Sequence, residues 1–174
     1  MMSSQARLSA ACVTTLAYAL LSNPATAATS PIVLQQNGTG PCQVALPAYE
    51  SLVRRRPLAI QNEGASSAFV TCSLTTLKGA IANDTFGYKL TMVNRSGNFL
   101  TLSCTAVIGS DGVSSPAPVF VTKSDAAVNN ASIVLTWRTF DGYSNDAPFN
   151  VSCVLPPGVG ISNIETTQTL NVGN

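Results

Sequence analysis

The chemistry open to this chain is set first by a side chain it lacks: there is no histidine among its 174 residues. Ser-His-Asp and Cys-His nucleophile activation are therefore absent, as is the commonest metal ligand, and most hydrolases and metalloenzymes lose their usual machinery. Eight carboxylates remain, and a glycosidase needs only two at the right separation. None of the eight is marked by a motif. Asp84-Thr85 is followed by Phe86 instead of the glycine of an aspartic-protease turn, and no glycine-rich loop precedes a helix to cradle phosphate. The expectation is a non-catalytic protein with no cofactor and no metal, a carboxylate-dependent glycan hydrolase being the minor alternative.

Binding chemistry is concentrated between Trp137 and Phe149, where Trp137, Phe140, Tyr143 and Phe149 fall close together. Aromatic rings stack on the apolar faces of sugars, and polar neighbours can bond the hydroxyls. Trp137 and Phe149 lie on the inward phases of two expected strands and read as core. Phe140, Asp141, Tyr143, Asn145 and Asp146 remain as the candidate binding loop. Asp141, Asn145 and Asp146 are also oxygen ligands of the kind that hold calcium, but their spacing is not that of an EF-hand, and Asp141-Gly142 reads as an ordinary hairpin reversal.

Arg54-Arg55-Arg56-Pro57 is the densest charge run. It could grip an acidic partner or surface polysaccharide, but it reads better as a solvated edge or a linker before the first strand, its charges discouraging edge pairing and Pro57 blocking a ladder hydrogen bond. Asn-x-Ser/Thr triplets begin at Asn37, Asn83, Asn94, Asn130 and Asn150, a weak signal in a chain rich in these residues.

The first residues read as an export signal. Arg7 precedes an uncharged run from Leu8 to Leu21, Pro24 breaks any helix, and Ala25-Thr26-Ala27 suits signal peptidase. The run falls short of the roughly 20 apolar residues that span a bilayer, so cleavage after Ala27 and no retained membrane anchor are expected. Removing residues 1–27 takes away Arg7 and Cys12, leaving eight basic against eight acidic side chains and four cysteines. A neutral domain has no general attraction for nucleic acid or anionic membrane. An even number of cysteines in an exported chain reads as two disulfides. Three connectivities are open to Cys42, Cys72, Cys104 and Cys153. Cys42 with Cys72 and Cys104 with Cys153 is preferred, because Leu100 to Cys104 and Phe149 to Cys153 are matching strand patterns with each cysteine on the apolar phase.

The elements that must position these residues show a period of two. Leu100, Leu102, Cys104, Ala106 and Ile108 alternate with Thr101, Ser103, Thr105 and Val107, the clearest strand in the chain. Similar alternation runs through Val70 to Leu74, Tyr88 to Met92, Ile133 to Trp137 and Phe149 to Leu155, with shorter candidates at Leu58 to Gln61 and Pro118 to Thr122 and a Thr-rich tail from Ile164. Turn signals separate them, among them Asn62-Glu-Gly64, Asn94-Arg-Ser-Gly97, Asn129-Asn130 and Pro156-Pro-Gly158. The expectation is an all-β antiparallel sandwich of about seven or eight strands with two disulfides, a barrel being the second choice. Residues 58–174 would form it, after an N-terminal extended segment, 28–57, that could hold a short helix between Val44 and Arg56. No internal repeat is visible beyond the strands. The leading functional reading is a secreted module binding an extracellular glycan or protein. The alternative is a structural, fimbria-like subunit assembled by strand addition.

Overall fold

The structure is a computed structural model that describes residues 28–74, 80–81, 87–109, 117–138 and 148–171. The expected signal, 1–27, lies outside them. No helix among the described residues is long and apolar enough to cross a membrane. Twelve described strands form two antiparallel sheets. They are β1 (Thr29–Asn37), β2 (Cys42–Val44), β3 (Val53–Arg56), β4 (Ala59–Asn62), β5 (Ala68–Leu74), β6 (Ala80–Ile81), β7 (Gly87–Asn94), β8 (Leu100–Ile108), β9 (Val119–Ala127), β10 (Ser132–Arg138), β11 (Phe149–Leu155) and β12 (Val159–Asn171).

Sheet A runs β10-β7-β12-β4-β3, with β1 and β6 also paired to β12; sheet B runs β2-β5-β11-β8-β9. β12 is the hub of sheet A. Along one flank it pairs with β7 and then β6, and along the other with β4 and then β1. A bulge between Ile161 and Asn163 shifts its register. Val159 and Ile161 face inward before it, and Ile164, Thr166 and Gln168 after it, as one inserted residue inverts the facing of a period-two strand.

Each expected strand is present. The four additional ones lie where alternation is weakest, and three of them come from residues 28–57. That segment is no appendage: β1 and β3 join sheet A and β2 joins sheet B. In place of a helix between Val44 and Arg56 there is a single 3-10 turn, Pro47–Tyr49, after which Val53–Arg56 is strand. Three consecutive arginines read as neither buried face of anything, but an edge strand exposes them without penalty.

The inner faces meet in one core. Tyr88 of sheet A stacks on Phe149 of sheet B, with ring centroids 3.7 Å apart, and Trp137 meets the same phenyl edge-on at 6.2 Å. All three are buried. Burial pushes the Tyr88 hydroxyl well above the ordinary phenol range. The indole Nε1 of Trp137, on edge strand β10, donates to the Val121 carbonyl of β9 at 2.9 Å, closing the sandwich at that side.

Both expected disulfides are formed, and each joins directly opposed residues of neighbouring strands in sheet B. Cys42 of β2 bonds Cys72 of β5, and Cys104 of β8 bonds Cys153 of β11. All four cysteines are buried in the core. Met92 Sδ approaches Cys104 Sγ at 3.4 Å; with no thiol proton in a half-cystine, this is a packing contact between polarisable sulfurs.

Candidate functional site

The candidate loop of Phe140, Asp141, Tyr143, Asn145 and Asp146 lies outside the described residues, as does Asn83. Its flanks are described, and there Trp137 and Phe149 are core residues. Among the described residues no three of His, Cys, Asp and Glu gather as metal ligands.

A different site is built where the two sheets end side by side. β2 is an edge of sheet B and β3 an edge of sheet A. The chain between them crosses from one sheet to the other through the Pro47–Tyr49 turn. Pro47 begins that turn, its fixed φ suiting a first helical position. The crossing is pinned at both ends: Ala45 N–H donates to the Phe69 carbonyl at 2.9 Å, and the Leu52 carbonyl accepts from Glu63 and Gly64 at 2.8 and 3.1 Å. Tyr49 reaches back to Phe69, with ring centroids 5.9 Å apart.

Beneath the crossing opens a cleft of about 380 Å³, lined by Gln43, Val44, Glu50, Val53, Arg55 and Ile60. Val44, Val53 and Ile60 supply apolar wall. The other three supply an amide, a carboxylate and a guanidinium. Arg55 is oriented by a hydrogen bond from Nη2 to the Cys42 carbonyl, 3.1 Å, which spans the two sheet edges. No ion pair or side-chain hydrogen bond engages the Gln43 amide or the Glu50 carboxylate among the described residues.

The other two arginines of the run are committed elsewhere. Arg54 Nη1 donates to the Glu50 and Val53 carbonyls at 3.1 and 3.3 Å, bracing the crossing. Arg56 makes a two-pronged bond to Glu63, both contacts 2.7 Å. That bond holds the Glu63 carboxyl below its usual range and raises the Arg56 guanidinium. One run of like residues thus divides into a brace, an exposed ion pair and a cleft-lining donor. The sequence reads the run as an edge or a linker, the structure makes it the edge strand β3, and sequence reasoning missed Gln43, Glu50 and Arg55 as a group. Their convergence depends on β2 and β3 lying in opposite sheets, which no spacing within 43–60 declares.

Of the described glycosylation triplets, Asn94 is fully buried, with Nδ2 bonded to the Asn98 and Ala127 carbonyls at 2.8 and 2.9 Å. Asn130 is exposed, in a left-handed turn position with φ 59°.

No family model matches the chain, and no curated protein matches it. Solved structures resemble it loosely. The family 11 carbohydrate-binding module of Clostridium thermocellum, in complex with a β-1,3-1,4-mixed-linked tetrasaccharide, is 8% identical with a TM-score of 0.39, covering 80% of this chain and 85% of that one. The C-terminal CBM6 of LamC, a marine laminarinase from Zobellia galactanivorans, is 7% identical with a TM-score of 0.38, covering 78% and 99%. Arthrobacter globiformis T6 isomalto-dextranase, complexed with panose, is 12% identical with a TM-score of 0.40, covering 77% of this chain and 23% of its own. Superpositions this loose assign neither a family nor a ligand.

Proposed function

We propose that this chain is an exported, non-catalytic β-sandwich that binds an extracellular glycan in the cleft between the β2 and β3 edges. The observation that carries the reading is the meeting of Gln43, Glu50 and Arg55 over the apolar wall of Val44, Val53 and Ile60. A sugar ring presents neighbouring hydroxyls at its rim and C–H groups on its faces. Planar amide, carboxylate and guanidinium groups bond such hydroxyls as donors and acceptors, and the aliphatic wall takes the C–H face. Among the described residues one carboxylate lines the cleft, where glycoside hydrolysis uses two, which favours binding over catalysis. Two buried disulfides fit an oxidising compartment outside the cytoplasm.

The test is a glycan array, followed by titration of each hit with Glu50→Gln, Gln43→Ala and Tyr143→Ala. Loss of a charged-group hydrogen bond costs about 1.5–3 kcal/mol, so the Glu50 change should weaken binding about tenfold or more. An array without a hit, or capture of a protein in place of any sugar, overturns the glycan reading. Binding that survives both cleft changes and is abolished by Tyr143→Ala moves the site to the Phe140, Asp141, Tyr143, Asn145 and Asp146 loop.

A further inference from the structure

We infer that the outer edge of β1 is a docking surface for a second copy of this chain, the two β1 strands pairing antiparallel about Val33 to join two copies of sheet A into one. Strand edges in monomeric β proteins are guarded against such pairing by charge, by shortness or by cover, and the other edges here follow that rule. β3 carries Arg54, Arg55 and Arg56, all exposed. β2 is three residues long and tied to β3 by the Arg55 bond to the Cys42 carbonyl. β9 carries Lys123 and Asp125, opposite Cys104 and Leu102 in the register, so that charge lies along its edge. β10 is closed against β9 by Trp137.

β1 has little of this protection. It is nine residues long, pairs with β12 alone among the described residues and holds no fully buried side chain. No residue from Ala28 to Tyr49 is charged, so a second copy meets no repulsion along this edge.

The orientation of the strand makes the edge usable. Gly38 N–H donates to the Ser162 carbonyl, which continues the register of Asn37 with Asn163. Even-numbered residues of β1 therefore turn their main-chain groups toward β12, and odd-numbered residues turn theirs outward. Pro31, which has no N–H to give, falls on the outward set, where a proline leaves the β12 ladder intact. Val33, at the centre, is 53% exposed with its N–H and C=O directed away from β12.

The sequence is complementary to itself about that centre. Pairing Val33 with Val33 of a second copy sets Ile32 opposite Leu34 twice, on the half-buried face, and Ser30 opposite Gln36. Aliphatic cross-strand pairs of this kind stabilise a ladder. The missing donor of Pro31 costs one bond in each half and leaves the central bonds in place. A two-fold arrangement consumes the edge, so assembly stops at a dimer.

Sedimentation of the purified protein over a concentration series tests this. A reversible dimer is expected, with Val33→Lys weakening association about tenfold or more by setting two cations face to face, and Val134→Lys, a similarly exposed valine on β10, associating as the parent does. Trp137 emission reports that each variant is folded. Amide hydrogen exchange of the unaltered protein supplies a readout free of variants: the outward Val33 amide should slow as concentration rises, while Leu34, bonded within the monomer, should not change. A monomer up to about 1 mM, open-ended assembly, or Val33 exchange independent of concentration would overturn the inference.

Discussion

Asn62 and Asn94 occupy equivalent places at one end of the sandwich. Each ends a strand of sheet A, is fully buried, and donates from Nδ2 to a carbonyl ending a strand of sheet B: Leu155 at 2.7 Å for Asn62, Ala127 at 2.9 Å for Asn94. Each also donates to the carbonyl four residues ahead, Ser66 or Asn98, and accepts at Oδ1 from the N–H two residues ahead, Gly64 or Ser96. Each stands ten residues before a disulfide cysteine, Cys72 or Cys104. The units β4-turn-β5 and β7-turn-β8 are thus structural repeats, where the sequence by itself shows no repeat.

Because each amide satisfies one carbonyl in a buried bond, Leu155 or Ala127, and a second in a part-buried one, replacing either with leucine should be destabilising by about 1–3 kcal/mol, most of it from the buried acceptor left unpaired. Aspartate, which offers acceptors where donors are needed, should be worse than leucine. Urea melts followed by Trp137 emission measure both. Wild-type midpoints in Asn62→Leu and Asn94→Leu would show that the two clamps contribute nothing.

The disulfides close chain separations of 30 and 49 residues. Loop-closure entropy assigns them about 3.5 and about 4 kcal/mol. Replacing Cys104 and Cys153 together by alanine should therefore cost at least as much stability as replacing Cys42 and Cys72. Equilibrium denaturation of the two double variants gives the order.

Glu165 accepts hydrogen bonds from Lys89 at 2.6 Å and Gln35 at 3.3 Å, and these hold its carboxyl below the usual range. Glu63 is held low by Arg56. A carboxylate with a depressed folded-state pKa adds stability above its unfolded value, and this is lost as pH falls through the folded value. Stability should therefore decline on acidification below the ordinary carboxylate range. Glu165→Gln should flatten the decline slightly, since a solvent-exposed pair is worth about 1 kcal/mol or less. With no histidine, no side-chain step is expected near pH 6.5. Thermal melts across pH read both features.

In a host that glycosylates Asn-x-Ser/Thr, the folded and secreted protein should carry no glycan at Asn94, whose amide is enclosed by two carbonyls. Asn130, exposed in its turn, should accept one. Peptide mass spectrometry of the secreted fraction decides this. A glycan on Asn94 in folded protein would contradict the clamp.

Legibility followed local physics. β8 was readable because one face is core and the other solvent, so Leu100 to Ile108 alternates without a break. The disulfide pairing was readable for the same reason, since phase brings Cys104 and Cys153 to one face. β1 was not: Ile32-Val33-Leu34 is a run of three aliphatics on a strand with no buried face, and Pro31 argues against a ladder. The Asn62 and Asn94 repeat rests on one polar residue and one cysteine in otherwise unlike segments. Gln43, Glu50 and Arg55 were illegible as a site because they come together only through the crossing between sheets.

The position of β12 also sets an order in time. Strands made earlier can form the β3-β4 hairpin and the β7-β10 pair, but β1 has no partner and the halves of sheet A have no centre until residues 159–171 emerge. The first described strand waits for the last, which is the most demanding contact order a sheet can impose. Sheet A therefore closes only once residues 159–171 have been made, whichever of its outer pairs form first.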